Sequence, residues 1–298
     1  MSWNKTIWTS LLLFGTLGCT SNLTDRFKEH LTVETGSFNK LKATNIVRES
    51  LQYPSDEFSL SLENALPLET LSGSFPLHLL KAHFIPFEER MIFAIIDPVK
   101  GEIKTEFEFE VLETGQVKVF GKNGIYLADE IPFVAADGLL ASKPVQYAVV
   151  SKRKGTSAVA SFIPLPISKS QGEKTLSLSV SHPMLTRFWL TGEGFEPNET
   201  VLMRHTSGTK EENFELIADE KGQISTELKP FVVGTLGGHA QIATGDLILD
   251  YPWGTRLEKM TFEEKILFPV LFVINRQDVE LDEMKIQKAF ASYSFIKG

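Results

Sequence analysis

The chain has 298 residues, 42% of them hydrophobic and 23% charged, which is the composition of a globular protein of about two domains and excludes wholesale disorder. Its formal net charge of -8 excludes a general electrostatic attraction to nucleic acid, so we expect no nucleic-acid partner. A single cysteine excludes an intrachain disulfide and argues against a structural zinc site.

The first 18 residues have the pattern of a signal peptide. Lys5 supplies a positive charge, Ile7 to Leu17 is apolar, and the small residue Gly18 precedes Cys19. The run Gly-Thr-Leu-Gly-Cys at residues 15–19 resembles the lipobox of bacterial lipoproteins. The resemblance implies that the Cys19 thiol carries diacylglycerol, that the chain is cut before this residue, and that the new amino group gains a further acyl chain. Cys19 is therefore the predicted lipidation site, and a membrane is the predicted partner through its acyl chains.

Two other interpretations of this segment compete with the lipobox. An uncleaved anchor is too short, because residues 7–17 make about 16 Å of helix against a hydrocarbon core of roughly 30 Å. An ordinary secretory signal would leave Cys19 as a free thiol. We expect a lipid-anchored protein of the bacterial cell envelope. Because Thr20 stands where an aspartate often marks inner-membrane retention, we favour the outer membrane if the host has one.

The rest of the chain begins with a predicted tether and continues as strands. Residues 19–55 are polar and mixed in charge. Residues 58–62, 106–111 and 176–180 alternate apolar and polar side chains, which is the period of a strand with one buried face. In the second of these, Glu106, Glu108 and Glu110 are predicted to face solvent and to discourage edge-to-edge pairing. Turn signals recur between such runs, and short strands at this spacing predict an all-β sandwich fold.

An internal repeat divides this region in two. Residues 78–93 align without a gap on residues 189–204, at an offset of 111 residues, and the matched pairs are Phe84 with Phe195, Pro86 with Pro197 and Glu88 with Glu199. Each block is followed by a strand, a Gly-Gln pair and a predicted closing hairpin, at 145–163 and at 239–251. The repeat predicts two domains, at 56–167 and 173–254, joined by residues 168–173.

The second unit carries a corner that reads Gly-Glu-Gly-Phe-Glu-Pro-Asn-Glu at residues 192–199, then Ala-Asp-Glu-Lys-Gly at 218–222 and Gly-Gly-His at 237–239. These runs resemble bacterial immunoglobulin-like domains. The resemblance implies two tandem Ig-like β-sandwiches, with the first unit assigned through the repeat. Within the corner, we expect Phe195 to be buried and Pro197 to lie in a turn.

A C-terminal extension follows at residues 255–298. Residues 266–274 are predicted to form a buried strand, and 278–293 a helix with Val279, Ile286, Phe290 and Tyr293 near one face. We predict a short α/β extension that docks on the second unit. The alternative is that its helix binds a partner.

The sequence offers little catalytic chemistry. It has no nucleophile elbow and no zinc-protease motif, its six histidines form no short-range cluster, and residues 219–222 lack the alternating acidic ligands of a calcium loop. We expect no enzymatic activity, no cofactor and no metal. Acidic pairs such as Glu88 and Glu89 are predicted to be solvated. The basic residues 152–154 are predicted to form a solubilising turn, with contact to lipid headgroups or a cell-wall polymer as the alternative.

These features favour a binding or spacer module in adhesion, envelope assembly or surface display, with an unknown protein or glycan partner. A glycan-binding module is one alternative. Its stacking candidates are Trp189 and Trp253, although the strand position of Trp189 favours the core. An enzyme-accessory role is another, because residues 107–119 resemble the Ig-like N-terminal domain of acyl-CoA thioesterases and acyltransferases. In that family catalysis belongs to a following α/β-hydrolase domain, for which we expect no room here.

Overall fold

The computed structural model describes residues 38–64, 68–70, 73–75, 78–121, 124–128, 133–135, 142–164, 166–263 and 269–275. Cys19 and the predicted helix at 278–293 lie outside these residues. The strands are β1 (Ser59–Asn64), β2 (Leu68–Thr70), β3 (Gly73–Phe75), β4 (His78–His83), β5 (Met91–Asp97), β6 (Glu102–Val111), β7 (Val117–Gly121), β8 (Gly124–Ala128), β9 (Phe133–Ala135), β10 (Val145–Ser151), β11 (Ser157–Phe162), β12 (Ile167–Gln171), β13 (Lys174–Val180), β14 (Phe188–Glu193), β15 (Thr200–Ser207), β16 (Lys210–Ile217), β17 (Ile224–Leu228), β18 (Gly237–Thr244), β19 (Leu247–Gly254) and β20 (Pro269–Ile274). The helices are α1 (Lys40–Ser50) and α2 (Thr255–Glu263).

The predicted all-β fold is confirmed. A first unit pairs a sheet of order β1-β4-β20-β9 with a sheet of order β11-β10-β5-β6-β7-β8, and a second unit pairs β12-β13-β14-β17 with β16-β15-β18-β19. The order β11-β10-β5-β6 in the first unit corresponds to β19-β18-β15-β16 in the second. The two predicted closing hairpins are β10–β11 and β18–β19. In the described ranges, none of the helices has the length and apolar character needed to cross a membrane.

The two units differ in the strand that lies beside the strand leading into the corner, which is β4 in the first unit and β14 in the second. In the second unit β17 pairs antiparallel with β14. In the first unit the equivalent place beside β4 is taken by β20, which pairs parallel with it. The expected buried strand is therefore present, but it completes the first unit, so our expectation that the extension docks on the second unit is wrong for this strand. The apolar run Val270 to Ile274 fits this interior position, because a strand that is buried on both faces does not alternate apolar and polar residues.

Aromatic rings fill the core of the first unit. Phe272 of β20 lies 4.7 Å from Phe93 and 5.7 Å from Phe109, measured between ring centroids. Phe93 and Phe107 are stacked at 5.1 Å. All four side chains are completely buried. The second unit has its own core, in which Phe188 and Tyr251 make an edge-to-face contact at 5.1 Å.

The end of the predicted tether is a helix that belongs to the first unit. Asn39 caps α1, with its side chain accepting a hydrogen bond from the Lys42 backbone N–H at 3.0 Å. Ala43 and Val47, four residues apart, are buried against apolar residues of β5 and β10 such as Ile92. Our prediction that the tether extends to residue 55 is therefore wrong from residue 40 onwards. Residues 40–50 carry an apolar stripe, although the composition of residues 19–55 as a whole is polar.

The expected joint between the units is also a regular element. Ile167–Gln171 is strand β12, which pairs with β13 through a turn at Gly172. The chain thus leaves the first unit after Phe162. Ser142 bridges the boundary, because its hydroxyl accepts the Ile167 N–H at 2.6 Å and its carbonyl accepts the Val180 N–H at 2.7 Å.

Candidate functional site

A groove of about 630 Å³ lies on the outer face of the six-stranded sheet, beside the start of α1. We call it the outer-face groove, and its lining residues are Phe38, Asn39, Lys42, Arg90, Glu108, Glu110, Phe120 and Lys152. Helix α1 covers the apolar half of this sheet face and leaves the charged half open.

The change from apolar to charged occurs within one cross-strand pair. Ile92 is buried near α1, and its partner on β6 is Glu108. A register shift opposite Phe93 and Ala94 places Thr105, and not Glu106, across from Ala94. This bulge changes the direction in which the side chains of β6 point, so the apolar surface under α1 ends here.

The glutamates of β6 do not have the role that their alternation predicts. Glu106 and Glu108 are only 4% and 5% exposed. Strand β6 pairs with β5 on one side and β7 on the other, so it has no free edge to protect. The Lys104 ammonium lies 3.1 Å from Glu106 Oε1. The prediction that the strip faces solvent is wrong for these two residues: Lys104 of the same strand pairs with Glu106, and cations from other parts of the chain pair with Glu108.

Glu108 is held by two cations. Lys152 Nζ donates to both of its carboxylate oxygens at 2.9 Å, and Arg90 Nη1 donates to Oε2 at 3.2 Å. Arg90 Nε also donates to Glu110 Oε1 at 2.8 Å, so the guanidinium bridges two carboxylates. The face of the same guanidinium covers the ring of Phe120, with Cζ 3.1 Å from the ring centroid. This pairing offsets the cost of burying the Glu108 charge.

The basic hairpin tip is neutralised by glutamates. Arg153 Nη2 lies 3.0 Å from Glu89 Oε2, and Ser151 donates its hydroxyl to the other oxygen of Glu89. Lys154 pairs with Glu57. Glu89 is buried, so the expectation of a solvated pair holds for Glu88 and is wrong for Glu89. The charges of the tip are thus paired within the chain, with glutamates that are distant in sequence.

The groove retains a small positive charge. Three of its lining side chains are cationic and two are anionic, so its lining carries one net positive charge on a chain whose overall charge is -8. Within the described residues, Lys42 makes no ion pair and leaves its ammonium at the groove. The arrangement favours a partner that brings a carboxylate or another anionic group.

The two tryptophans proposed for glycan stacking have opposite environments. Trp253 is 2% exposed and belongs to the core of the second unit. Trp189 lies in β14 as predicted but is 45% exposed, so the expectation that it is core is wrong. It occupies an outward position of a strand whose burial alternates strictly, and that alternation is the sequence signal for its exposure.

The remaining candidate residues have structural partners. His205 is buried, and its Nε2 lies 2.8 Å from the Tyr251 hydroxyl. Burial lowers the pKa of His205, and the Glu212 carboxylate near it opposes that shift. Asp219 Oδ1 accepts the N–H groups of Lys221 and Gln223 at 2.8 and 2.9 Å, which makes residues 219–222 a turn. Among the described residues, no group of three or more His, Cys, Asp or Glu side chains is arranged to hold a metal ion.

Sequence reasoning missed the outer-face groove. Its charged residues lie on α1, just before β5, on β6 and just after β10, and each looks like an ordinary solvent-facing charge in its own segment. Charges of both signs on or beside several strands are the signal that points to such a network.

Comparison with known proteins gives few relatives. No protein-family model matches the chain, and no curated protein matches it. Among solved structures, the crystal structure of a tetra-tandem repeat in the extending region of a large adhesion protein matches 66% of this chain and 49% of that chain, with 14% sequence identity and a TM-score of 0.22. The chain thus spans about half the length of that protein. A TM-score this low does not indicate a shared function.

Proposed function

We propose that the protein is a membrane-anchored lipoprotein of the bacterial envelope that acts as a binding or spacer module and not as an enzyme. The lipobox run that ends at Cys19 supports the anchor. Two or three acyl chains hold a protein on a bilayer, whereas one chain gives marginal and reversible binding. The lack of an aspartate after Cys19 favours the outer membrane in a host that has one.

The observation that carries the binding role is the state of the charges in the outer-face groove. Both oxygens of Glu108 accept hydrogen bonds from Lys152, and Arg90 ties Glu108 to Glu110. Carboxylates that are engaged in this way are poorly placed to take a proton from a substrate. A preorganised surface of paired charges suits recognition, and Lys42 supplies a cation for an anionic group on the partner.

The position of the groove fits a role near the membrane. Phe38 lines the groove and is the first described residue. The segment between Cys19 and Phe38 can span roughly 65 Å at most, even when extended. The groove therefore stays within that distance of the bilayer that carries the acyl chains.

Cell fractionation tests the anchor. The full-length chain, expressed in a bacterium with its own signal segment, should sediment with membranes and be released by detergent but not by high salt. Cys19→Ser should move to the soluble envelope fraction. A wild-type protein that salt extracts would contradict a lipid anchor.

Crosslinking in intact cells tests the groove. The adduct pattern of the wild type should change in Lys42→Glu, which breaks no ion pair of the described chain but removes the positive charge. Lys169→Glu is the matched control, since Lys169 is an exposed lysine of the second unit. If both variants keep the wild-type pattern, the groove is not the binding surface.

A further inference from the structure

One face of the second unit carries a row of hydroxyl groups. On the outer side of the sheet β12-β13-β14-β17, cross-strand neighbours form a line that crosses all four strands: Ser168, Ser177, Thr191 and Ser225. Strands lie about 4.8 Å apart, so this hydroxyl row is roughly 14 Å long. A second pair of hydroxyls, Ser170 and Thr175, lies beside it and is hydrogen-bonded at 2.9 Å.

The exposed indole of Trp189 adjoins the hydroxyl row. Trp189 is two residues before Thr191 on β14, so both side chains are on the same face of the sheet. Its cross-strand neighbours are Ser179 and Glu227. Because β14 is an interior strand, the ring stands on the sheet surface and not at its edge. The core does not need this residue, since Phe188 and Leu190 supply the buried side of the strand.

The polar groups of this face are free or neutralised. The hydroxyls of Ser168, Ser177 and Ser225 make no hydrogen bond to any described part of the chain, so they can both donate and accept. Glu227 pairs with Lys229 at 3.1 Å and Arg187 at 3.8 Å. The exposed Glu193, two residues after Thr191 on the same face, is a second carboxylate, so the face has two cations and two anions. The Thr191 hydroxyl donates to the Ser177 carbonyl at 3.5 Å. The face therefore offers one apolar ring, a row of hydroxyls of which three are free, and no net charge.

We propose that this face binds a neutral polysaccharide chain, with Trp189 stacking on the C–H face of a sugar ring and the hydroxyl row bonding to neighbouring sugar hydroxyls. An aromatic ring gives area and orientation, and neutral hydroxyls match a ligand that carries no charge. A protein partner would need a cluster of buried apolar anchors, whereas this face has a single one. An anionic polymer would need cations, and those present are paired with Glu227. The inference names a ligand class for the proposed binding module and depends on the proposed function only for its location outside the cytoplasm.

Co-sedimentation with insoluble cellulose, chitin and β-1,3-glucan tests the proposal with the full-length chain in detergent. The wild type should bind at least one of them. Trp189→Ala should weaken that binding about tenfold or more, and Trp189→Phe should restore a large part of it. Ser177→Arg should also weaken it, because the long side chain obstructs the face while Trp189 remains. Leu202→Ala is the matched control, an exposed apolar residue on the outer face of the other sheet.

Three results would overturn the proposal: no binding of the wild type to any of the three polymers, equal binding of Trp189→Ala, or equal loss in the Leu202→Ala control. Thermal melting of each variant shows whether a loss comes from unfolding. Cys19→Ser should bind the polymer like the wild type. A failure of the lipid anchor would therefore leave this test intact, and the two failures are distinguishable.

Discussion

The side chain of Asn275 hydrogen-bonds to both backbone groups of Ile85, although the two residues are far apart in the sequence. Its Oδ1 accepts the Ile85 N–H at 2.8 Å, and its Nδ2 donates to the Ile85 carbonyl at 2.9 Å. The backbone N–H of Asn275 also donates to the Ala82 carbonyl at 2.8 Å. These bonds fasten the end of β20 to the corner after β4, so β20 is an integral part of the first unit.

Phe272 should therefore contribute strongly to the stability of the first unit. Its ring is completely buried against Phe93, Phe107 and Phe109. We expect Phe272→Ala to lower the free energy of unfolding by about 3–5 kcal/mol. Urea unfolding measures this, with Phe87→Ala as the control because Phe87 is exposed. Equal effects of the two substitutions would mean that β20 does not complete the core.

The repeat offers a matched pair of phenylalanines at the two corners. Phe195 is 5% exposed, as predicted, whereas its counterpart Phe84 is 74% exposed. Phe195→Ala should cost about 3–5 kcal/mol. Phe84→Ala should change the free energy of unfolding by no more than about 0.5 kcal/mol. An unchanged melting temperature for Phe195→Ala would contradict the packing of the second core.

A matched pair of glycines separates backbone conformation from close approach. Gly115 and Gly222 occupy equivalent Gly-Gln positions, with φ of 81° and 72°. A Cβ on Gly222 would lie 2.1 Å from the Phe195 carbonyl oxygen, while a Cβ on Gly115 would meet nothing within 4 Å. We expect Gly115→Ala to cost about 1–2 kcal/mol through its left-handed backbone alone. Gly222→Ala should cost clearly more in the same denaturation assay, and equal costs would exclude the contact.

The second unit should lose stability in mild acid because of His205. Burial lowers the pKa of His205 in the folded chain below its usual value of 6.5. The unfolded chain therefore binds a proton at a higher pH than the folded chain does, and stability falls as the pH drops below about 6.5 until it reaches the folded pKa. Burial also lowers the pKa of His78, which lies in the first unit.

Thermal melts between pH 7.5 and 5 measure this dependence. His205→Phe should remove the part of the slope that belongs to the second unit, because phenylalanine has no proton to bind. The Tyr251 hydroxyl then loses its partner, so the variant is compared with itself across pH and not with the wild type at one pH. A slope that His205→Phe leaves unchanged would assign the acid sensitivity to other groups.

Local sequence patterns were sufficient to predict where strands form but not which strands pair with each other. The alternation at 106–111 correctly buried Phe107 and Phe109, since a period of two fixes which side chains share a face. The same alternation did not show that β6 is interior, because pairing depends on β5 and β7. Glu108 therefore appeared solvated, whereas Lys152 and Arg90 enclose it.

The repeat was likewise informative up to the point where the two copies diverge. It predicted the two closing hairpins, β10–β11 and β18–β19, and both are present. It did not predict that β20 takes beside β4 the place that β17 takes beside β14, because a parallel pairing with a distant strand leaves no local mark. The exposure of Trp189 follows from its alternation with Phe188 and Leu190, because a strand position alone does not decide which face a side chain occupies.

The proposed envelope anchor depends on one thiol, and metabolic labelling tests it directly. Cells that express the full-length chain are grown with an alkyne fatty acid, and the purified protein is coupled to a fluorophore. The wild type should be labelled, and its mature N-terminus should be an acylated Cys19. Cys19→Ser should take up no label, because an oxygen cannot replace the sulfur that the lipid-transfer chemistry requires. A Cys19→Ser protein that is still labelled and still sediments with membranes would contradict the account.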